Sequence, residues 1–326
     1  MNIGIIGFGY WGPNLVRNFK KIKSCNVTHI SESQKNKHKI IRKLHPEIQI
    51  ESFEKIVKNP QIDAIVIATS ISSHYELAKK ALENNKHVLI EKPLADSVKH
   101  SLALIKLSKK RKKILMVDHT YLYSGAIQKI KTILEKKSLG TILYVDSIRA
   151  NLGKFQSDVN VLWDLAPHDI SIINHLVVEK PISVQAFGKS FVKNKLENIG
   201  YLVLHYTSGK MVHINCSWAS PIKIRTMIFG GTKKMLVFND LEKNHIRLYD
   251  KNFSQNLNDV KIKSNDVFHE PKYSSKEPLH SMAEDFIKSI LTNKIPISNY
   301  KIGLDVVKIL EASQKSIKNK GKEISL

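Results

Sequence analysis

Cysteine is almost absent from this chain. Cys25 and Cys216 are its two cysteines, and they lie in unrelated segments with no metal-ligand or redox spacing. That excludes a disulfide-framed fold and leaves two reduced thiols as the simplest account. No H-E-x-x-H or similar spacing occurs among the histidines, so no zinc or other metal is expected. No apolar run approaches the length needed to cross a bilayer. Internal repeats and low-complexity linkers are also missing. A strand pattern that opens at residue 2 leaves no room for a signal or transit peptide, so a cytoplasmic protein is expected.

Acidic side chains are scarce: 29 Asp and Glu stand against 52 Lys and Arg, a formal net charge of +23. Such an excess raises nucleic acid as a partner. The densest basic cluster, residues 109–113, sits between the end of one expected helix and the next strand, where cations suit both the dipole and the solvent. The other lysines are spread along the whole chain. This reads as a compositional bias, and no nucleic-acid partner is expected; attraction of an anionic substrate or cofactor is the better account. With 326 residues, 42% of them hydrophobic, the chain is long enough for two domains with separate cores.

What is present is concentrated at the start. Residues 2–6 read as a short buried strand, followed by Gly7, Gly9 and Gly12 in a G-x-G-x-x-G pattern at the handover to a helix. Gly7 suits a tight turn, Gly9 lets the backbone approach a pyrophosphate, and Gly12 lets helix and strand pack closely. Pro13 falls in the first helical turn, where no backbone donor is needed. A glycine-rich turn alone is weak evidence, but a second strand at 26–31 ends in Glu32, twenty residues after Gly12. A carboxylate there would meet the adenosine ribose. It would also repel a 2′-phosphate, so the expected cofactor is NAD, with NADP as the alternative because Lys35 and Lys37 lie close by.

Strands and helices alternate to residue 118, which predicts a doubly wound parallel sheet. The apolar run 64–68 is what a strand covered on both faces requires. The pattern then changes. Alternating segments at 142–150, 183–191, 201–206, 211–218, 225–229, 235–238 and 246–249 predict a largely antiparallel open sheet. Residues 251–276 are polar and read as a long surface loop, with two helices closing the chain near 279–291 and 303–318. The expected fold class is α/β: a Rossmann domain over 1–118, then an α/β substrate and oligomerisation domain over 119–326.

Two places offer chemistry. Lys92 sits just past a parallel strand, at the sheet edge where such folds bind ligands. An ammonium there would stabilise an alkoxide-like charge. The rival reading is a solvated loop lysine, but Pro93 restricts the lysine backbone and makes the bond a candidate cis peptide. Asp164 and His168 fall at i and i+4 of an expected helix in which Pro167 lies in the first turn. A carboxylate beside an imidazole suits a general base for an alcohol proton; the rival is a capping aspartate and an incidental histidine.

These residues together resemble the glucose–fructose oxidoreductase / inositol dehydrogenase / rhizopine catabolism (Gfo/Idh/MocA) family. The resemblance rests on Gly7 to Gly12, on 63–69 with His74, on 87–93 with its Glu91-Lys92-Pro93, on Asp164-x-x-x-His168, and on the closing helical segments 270–286 and 303–316. It implies that Lys92 contacts substrate and nicotinamide, and that Asp164 and His168 form the acid/base pair. It also implies that Gly7, Phe8, Gly9, Tyr10, Trp11, Gly12, Glu32, Thr69, His74, Glu91 and Lys92 hold the cofactor. Ser70, where the family has proline, and Glu32, where aspartate is usual, are departures. Segments 9–14, 151–153 and 158–169 resemble a branch of nucleotide-sugar dehydrogenases of the UDP-N-acetylglucosamine 3-dehydrogenase type, acting in surface-polysaccharide precursor synthesis. Arg149, Asn151 and Lys154 are then the expected substrate contacts, and a homodimer or homotetramer the expected assembly. An inositol or free-sugar dehydrogenase is the enzyme alternative; a cofactor-binding sugar-pathway regulator without turnover is the other.

Overall fold

The computed structural model describes residues 1–153, 155–193, 195–255, 259–265 and 267–326. The chain forms two compact units, one of Met1–Tyr123 with Lys276–Val307 and one of Ser124–Ser275 with Lys308–Leu326.

The first unit is wound as the alternation predicts. Its elements are β1 (Asn2–Ile6), α1 (Gly12–Lys20), β2 (Asn26–Ser31), α2 (Lys35–Leu44), β3 (Gln49–Ile50) and α3 (Phe53–Lys58). β4 (Ala64–Ile67), α4 (Ile71–Glu83), β5 (His87–Glu91), α5 (Val98–Arg111), β6 (Leu115–Asp118) and a 3-10 turn (Thr120–Tyr123) follow. The sheet runs β3-β2-β1-β4-β5-β6, with every neighbouring pair parallel. All four residues of β4 are buried, the cost of backbone polarity being met by its two neighbours. The order reverses between β1 and β4, and ligands in such sheets bind at the carboxyl ends of the strands beside that point.

The second unit carries α6 (Gly125–Glu135), β7 (Ile142–Leu152), α7 (Val161–Leu176), β8 (Ser183–Lys189), β9 (Ile199–His205), β10 (Met211–Ser217) and β11 (Ala219–Gly231). It continues with β12 (Met235–Asn239), β13 (Ile246–Tyr249), β14 (Asn252–Gln255), β15 (Val260–Lys263) and β16 (Phe268–His269). One nine-stranded sheet runs β16-β13-β12-β11-β7-β10-β9-β8 and ends on β17 (Ile324–Ser325). Its pairs are antiparallel except β7 with β10. The expectation of a surface loop over 251–276 is corrected. β14 and β15 form their own ribbon, and β16 pairs with β13. β15 and β16 are exposed along their length, so backbone pairing forms them without the apolar alternation that marks a half-buried strand.

Two helices, α8 (Pro278–Thr292) and α9 (Tyr300–Lys318), complete the chain, and the boundary between the units falls inside α9. A single cut near residue 118 would give Lys276–Val307 to the second domain, whereas this segment packs within the first unit. Phe286 meets Phe19 of α1 edge to face at 6.3 Å, and Glu277 accepts from Arg17 Nη1 at 2.9 Å and Asn18 Nδ2 at 3.0 Å. Tyr123 Oη donates to Asp285 Oδ2 at 2.7 Å.

Candidate functional site

The glycine turn closes β1 onto α1. Gly7 has φ +95°, and a side chain there would put Cβ 2.5 Å from the Ala68 carbonyl oxygen, so only glycine fits. A Cβ on Gly12 would meet the Gly7 carbonyl oxygen, also at 2.5 Å, whereas nothing lies within 4 Å of one on Gly9. Two glycines are demanded by the protein's own packing and the third opens on free space, which fits a cradle for a pyrophosphate. α1 starts without a side-chain cap, has proline in its first positions and carries no acid in its first turn. Its N-terminal amides and dipole therefore favour an anion.

Glu32, at the end of β2, is bound into the turn. Oε2 accepts the Phe8 amide at 2.7 Å, Oε1 accepts the Gln34 amide at 2.8 Å, and Lys37 Nζ lies 3.8 Å away. Burial pushes this carboxyl up, but the two amides, Lys37 and Ser33 outweigh it and leave it below its ordinary value. Phe8 is buried in the core, so its contribution to the turn is its backbone, while Tyr10 is exposed and stacks edge to face on Trp11 at 5.4 Å.

The strand ends beside β1 hold the other expected cofactor residues. Thr69 shares a hydrogen bond with Ser73 at 2.7 Å between hydroxyl oxygens. His74 is fully buried, with Nδ1 2.9 Å from the Pro93 carbonyl oxygen and Nε2 3.1 Å from that of Thr69. It therefore ties the loop after β4 to the loop after β5. Burial lowers its pKa, more than the two carbonyls raise it. Lys92 is half-buried, and the Lys92–Pro93 peptide is cis.

Two residues that sequence reasoning passed over lie one strand further along the same edge. Asp118 ends β6 opposite Glu91, and both are buried. His119 is fully buried, and among the described residues neither ring nitrogen has a hydrogen-bond partner. Burial, and then the Lys92 ammonium, push its pKa down to about 3, so it is neutral. The rule that ligands sit at strand carboxyl ends was the signal that could have found them.

In the second unit, α7 holds the expected acid/base pair. Asn160 caps its start by accepting the Trp163 amide at 3.0 Å. Pro167 lies inside the helix, not in the first turn as expected, because the cap places the start at Val161. Without an amide, Pro167 leaves the Trp163 carbonyl without its helical donor. Asp164 and His168 are both half-buried, one turn apart. Asp164 Oδ2 accepts the indole N–H of Trp218 at 3.0 Å. Trp218 is 1% exposed and lies between β10 and β11, and its carbonyl accepts the Gly153 amide at 3.1 Å. The structure thus brings segment 151–153 to Asp164 through a tryptophan that sequence reasoning missed. Asn151 packs against Gly153, where an added Cβ would lie 2.2 Å from Asn151 Nδ2.

Arg149 differs from the expectation of a diphosphate contact. It is 4% exposed, and its Nη2 and Nε donate to Asp169 Oδ1 at 2.7 and 3.1 Å. Asp169 follows His168 and is itself buried, so this pair fastens α7 to β7. Lys154 lies outside the described residues. Among the described residues no cluster of His, Cys, Asp and Glu could hold a metal ion, and no helix is long and apolar enough to cross a membrane.

Comparison with known proteins follows these halves closely. Residues 1–119 match the model of an oxidoreductase family with an NAD-binding Rossmann fold (GFO_IDH_MocA), and residues 127–237 match the GFO/IDH/MocA C-terminal domain. The chain is 24% identical over 249 residues to 2,7-anhydro-N-acetylneuraminate hydratase of Escherichia coli, covering 72% of this chain and 66% of that one. It is 26% identical over 199 residues to UDP-N-acetylglucosamine 3-dehydrogenase of Acidithiobacillus ferrooxidans, covering 60% and 61%. The chain thus spans less than two thirds of the length of either relative. A solved structure of a candidate oxidoreductase from Magnetospirillum magnetotacticum superposes with a TM-score of 0.83 at 25% identity, covering 96% of this chain and 99% of that one.

Proposed function

The chain belongs to the Gfo/Idh/MocA family of NAD-binding oxidoreductases, and from that premise we propose that it oxidises a ring hydroxyl of a sugar, or reduces the matching ketone. The substrate we infer is a nucleotide-activated N-acetyl sugar. The turn of Gly7, Gly9 and Gly12 with the start of α1 would hold the pyrophosphate, and Glu32 the adenosine ribose. When bound, NAD supplies the two-electron acceptor for a carbinol carbon. The protein must then manage a proton and a developing charge. His168 takes the hydroxyl proton as general base. Asp164, clamped by Trp218, fixes the imidazole and stabilises its charged form. Lys92 donates to the reacting oxygen and stabilises its negative charge.

The observation that carries this reading is the α7 pair: a half-buried histidine one turn from a carboxylate that a buried indole holds in place. The nucleotide-sugar substrate is supported by the similarity to UDP-N-acetylglucosamine 3-dehydrogenase and by the net charge of +23, which would raise the encounter rate of a dianion. One observation favours a second reading. With the Arg149 guanidinium engaged by Asp169, a diphosphate loses its best expected partner, and an uncharged polyol or free sugar gains.

The test is NAD reduction with UDP-N-acetylglucosamine, its uronic-acid form, myo-inositol and glucose side by side, at low and high salt. Turnover of the nucleotide sugars that falls as salt rises is expected. Activity confined to the uncharged substrates and indifferent to salt would overturn the nucleotide-sugar reading.

A further inference from the structure

We propose that Asp118 is a positioning residue for Lys92: it shares a single proton with Glu91, so that the buried pair presents one negative charge to the lysine ammonium. The inference rests on the role given to Lys92 above.

The geometry starts from register. β5 and β6 are parallel neighbours, and Glu91 stands opposite Asp118 at the last rung of both strands. Paired residues of parallel strands project from the same face, so two carboxyls are forced together where each is less than a tenth exposed. Ionised carboxylates are acceptors only, so nothing but a retained proton can join the two by a hydrogen bond. Two carboxylates in contact away from water do not both ionise, so one proton stays. Its place follows from the donors. The Thr120 hydroxyl donates to Asp118 Oδ1, while Asp118 Oδ2 is buried and accepts no N–H or hydroxyl among the described residues. A protonated Glu91 completes that oxygen, and the charge rests on Asp118. The electrostatics agree in direction. Burial and then Asp118 push Glu91 well above its ordinary value, and burial raises Asp118 to about 6 against the pull of Thr120, Glu91 and Lys92.

The surrounding groups leave Lys92 as the cation this charge serves. His119, next along the chain, is neutral, with a pKa of about 3. Tyr123 of the 3-10 turn donates its hydroxyl hydrogen bond to Asp285 of α8. His74 of α4 is buried and held by the Pro93 and Thr69 carbonyls, and burial lowers its pKa. Two charges in the pair would draw the ammonium back from a substrate oxygen, and none would leave it unanchored.

The test reads carboxyl 13C resonances of Asp118 and Glu91 and the 13Cε resonance of Lys92 in the full-length protein, against pH. Glu91→Gln and Lys92→Met serve for assignment. At pH 7 Glu91 is expected protonated and Asp118 ionised, and Lys92 is expected to move with a midpoint near 6 as the pair takes its second proton. In Asp118→Asn, Glu91 loses its like-charged neighbour and titrates lower than in the wild type, and the Lys92 step near 6 disappears; Asp118→Glu restores it. Both carboxyls ionised at pH 7 in the wild type, or a Lys92 step near 6 that survives in Asp118→Asn, overturns the proposal. These readings need no substrate. If they come out as expected and no sugar is oxidised, the functional reading fails and this one stands.

Discussion

Arg149 on β7 and Asp169 on α7 form an ion pair in which both side chains are no more than 5% exposed. Breaking such a pair from one side leaves a buried charge uncompensated. Asp169→Ala is expected to destabilise the protein by about 3–5 kcal/mol. Replacing both partners, as in Arg149→Met with Asp169→Leu, should recover most of that. Urea unfolding of the three variants checks it; a double variant no more stable than the single would show that the pair is needed for more than its own neutralisation.

The placement of Glu32 predicts cofactor choice. Its carboxylate sits on the Phe8 amide and is held below its ordinary pKa, so it is charged at neutral pH and repels a 2′-phosphate. NAD should bind more tightly than NADP, and Glu32→Ala should weaken NAD while narrowing the gap. Titration of both cofactors into both proteins decides this. Tighter NADP binding by the wild type would mean that Lys37 dominates.

Lys92→Met should keep NAD affinity near that of the wild type and lose turnover, because its charge acts on the developing alkoxide. His168→Ala should lower kcat by roughly 10²–10⁴-fold. Steady-state kinetics across pH, with NAD affinity measured separately, test both; near-normal activity of His168→Ala at every pH would remove histidine from the proton transfer.

Trp218→Phe keeps an aromatic ring in a fully buried position and deletes the N–H that Asp164 accepts. Loss of a hydrogen bond to a charged group should cost about 1.5–3 kcal/mol of stability. If the indole also fixes Asp164 for His168, kcat falls while the KM for NAD does not. An unchanged kcat would confine Trp218 to packing.

His119 supplies a pH test with a definite sign. Its folded pKa of about 3 lies below the ordinary 6.5, so its contribution is fully present above 6.5 and is lost as pH falls toward 3. Asp118, raised to about 6, acts in the opposite sense: its contribution is present below its ordinary 3.8 and is lost as pH rises through 6. The comparison must therefore isolate the histidine. Relative to His119→Gln, the wild type should lose about 1.4 kcal/mol per pH unit between roughly pH 6 and 4. Denaturant midpoints of both proteins across that range measure the slope, and parallel curves would place a charged imidazole in the folded state.

The glycine turn and Glu32 were readable in the sequence because their geometry is local: a strand, a turn and a helix impose glycine at Gly7 and Gly12 within a few residues. The same holds for β4, whose apolar run declares a doubly covered strand, and for Asp164 and His168, whose spacing is one helical turn. Membership of the family rested on such short motifs, and the comparisons bear it out. What needed the tertiary structure depended on partners distant in sequence. Arg149 reads in sequence as a diphosphate contact, whereas Asp169, twenty residues on, holds it in the fold. β15 and β16 escaped notice because backbone pairing forms them without burying side chains. α8 joins the first unit through Phe19 and Arg17, a relation that no local pattern encodes. Glu91 and Asp118 meet because parallel register sets two strand ends side by side, and a shared proton is a property of that meeting, which neither residue carries alone.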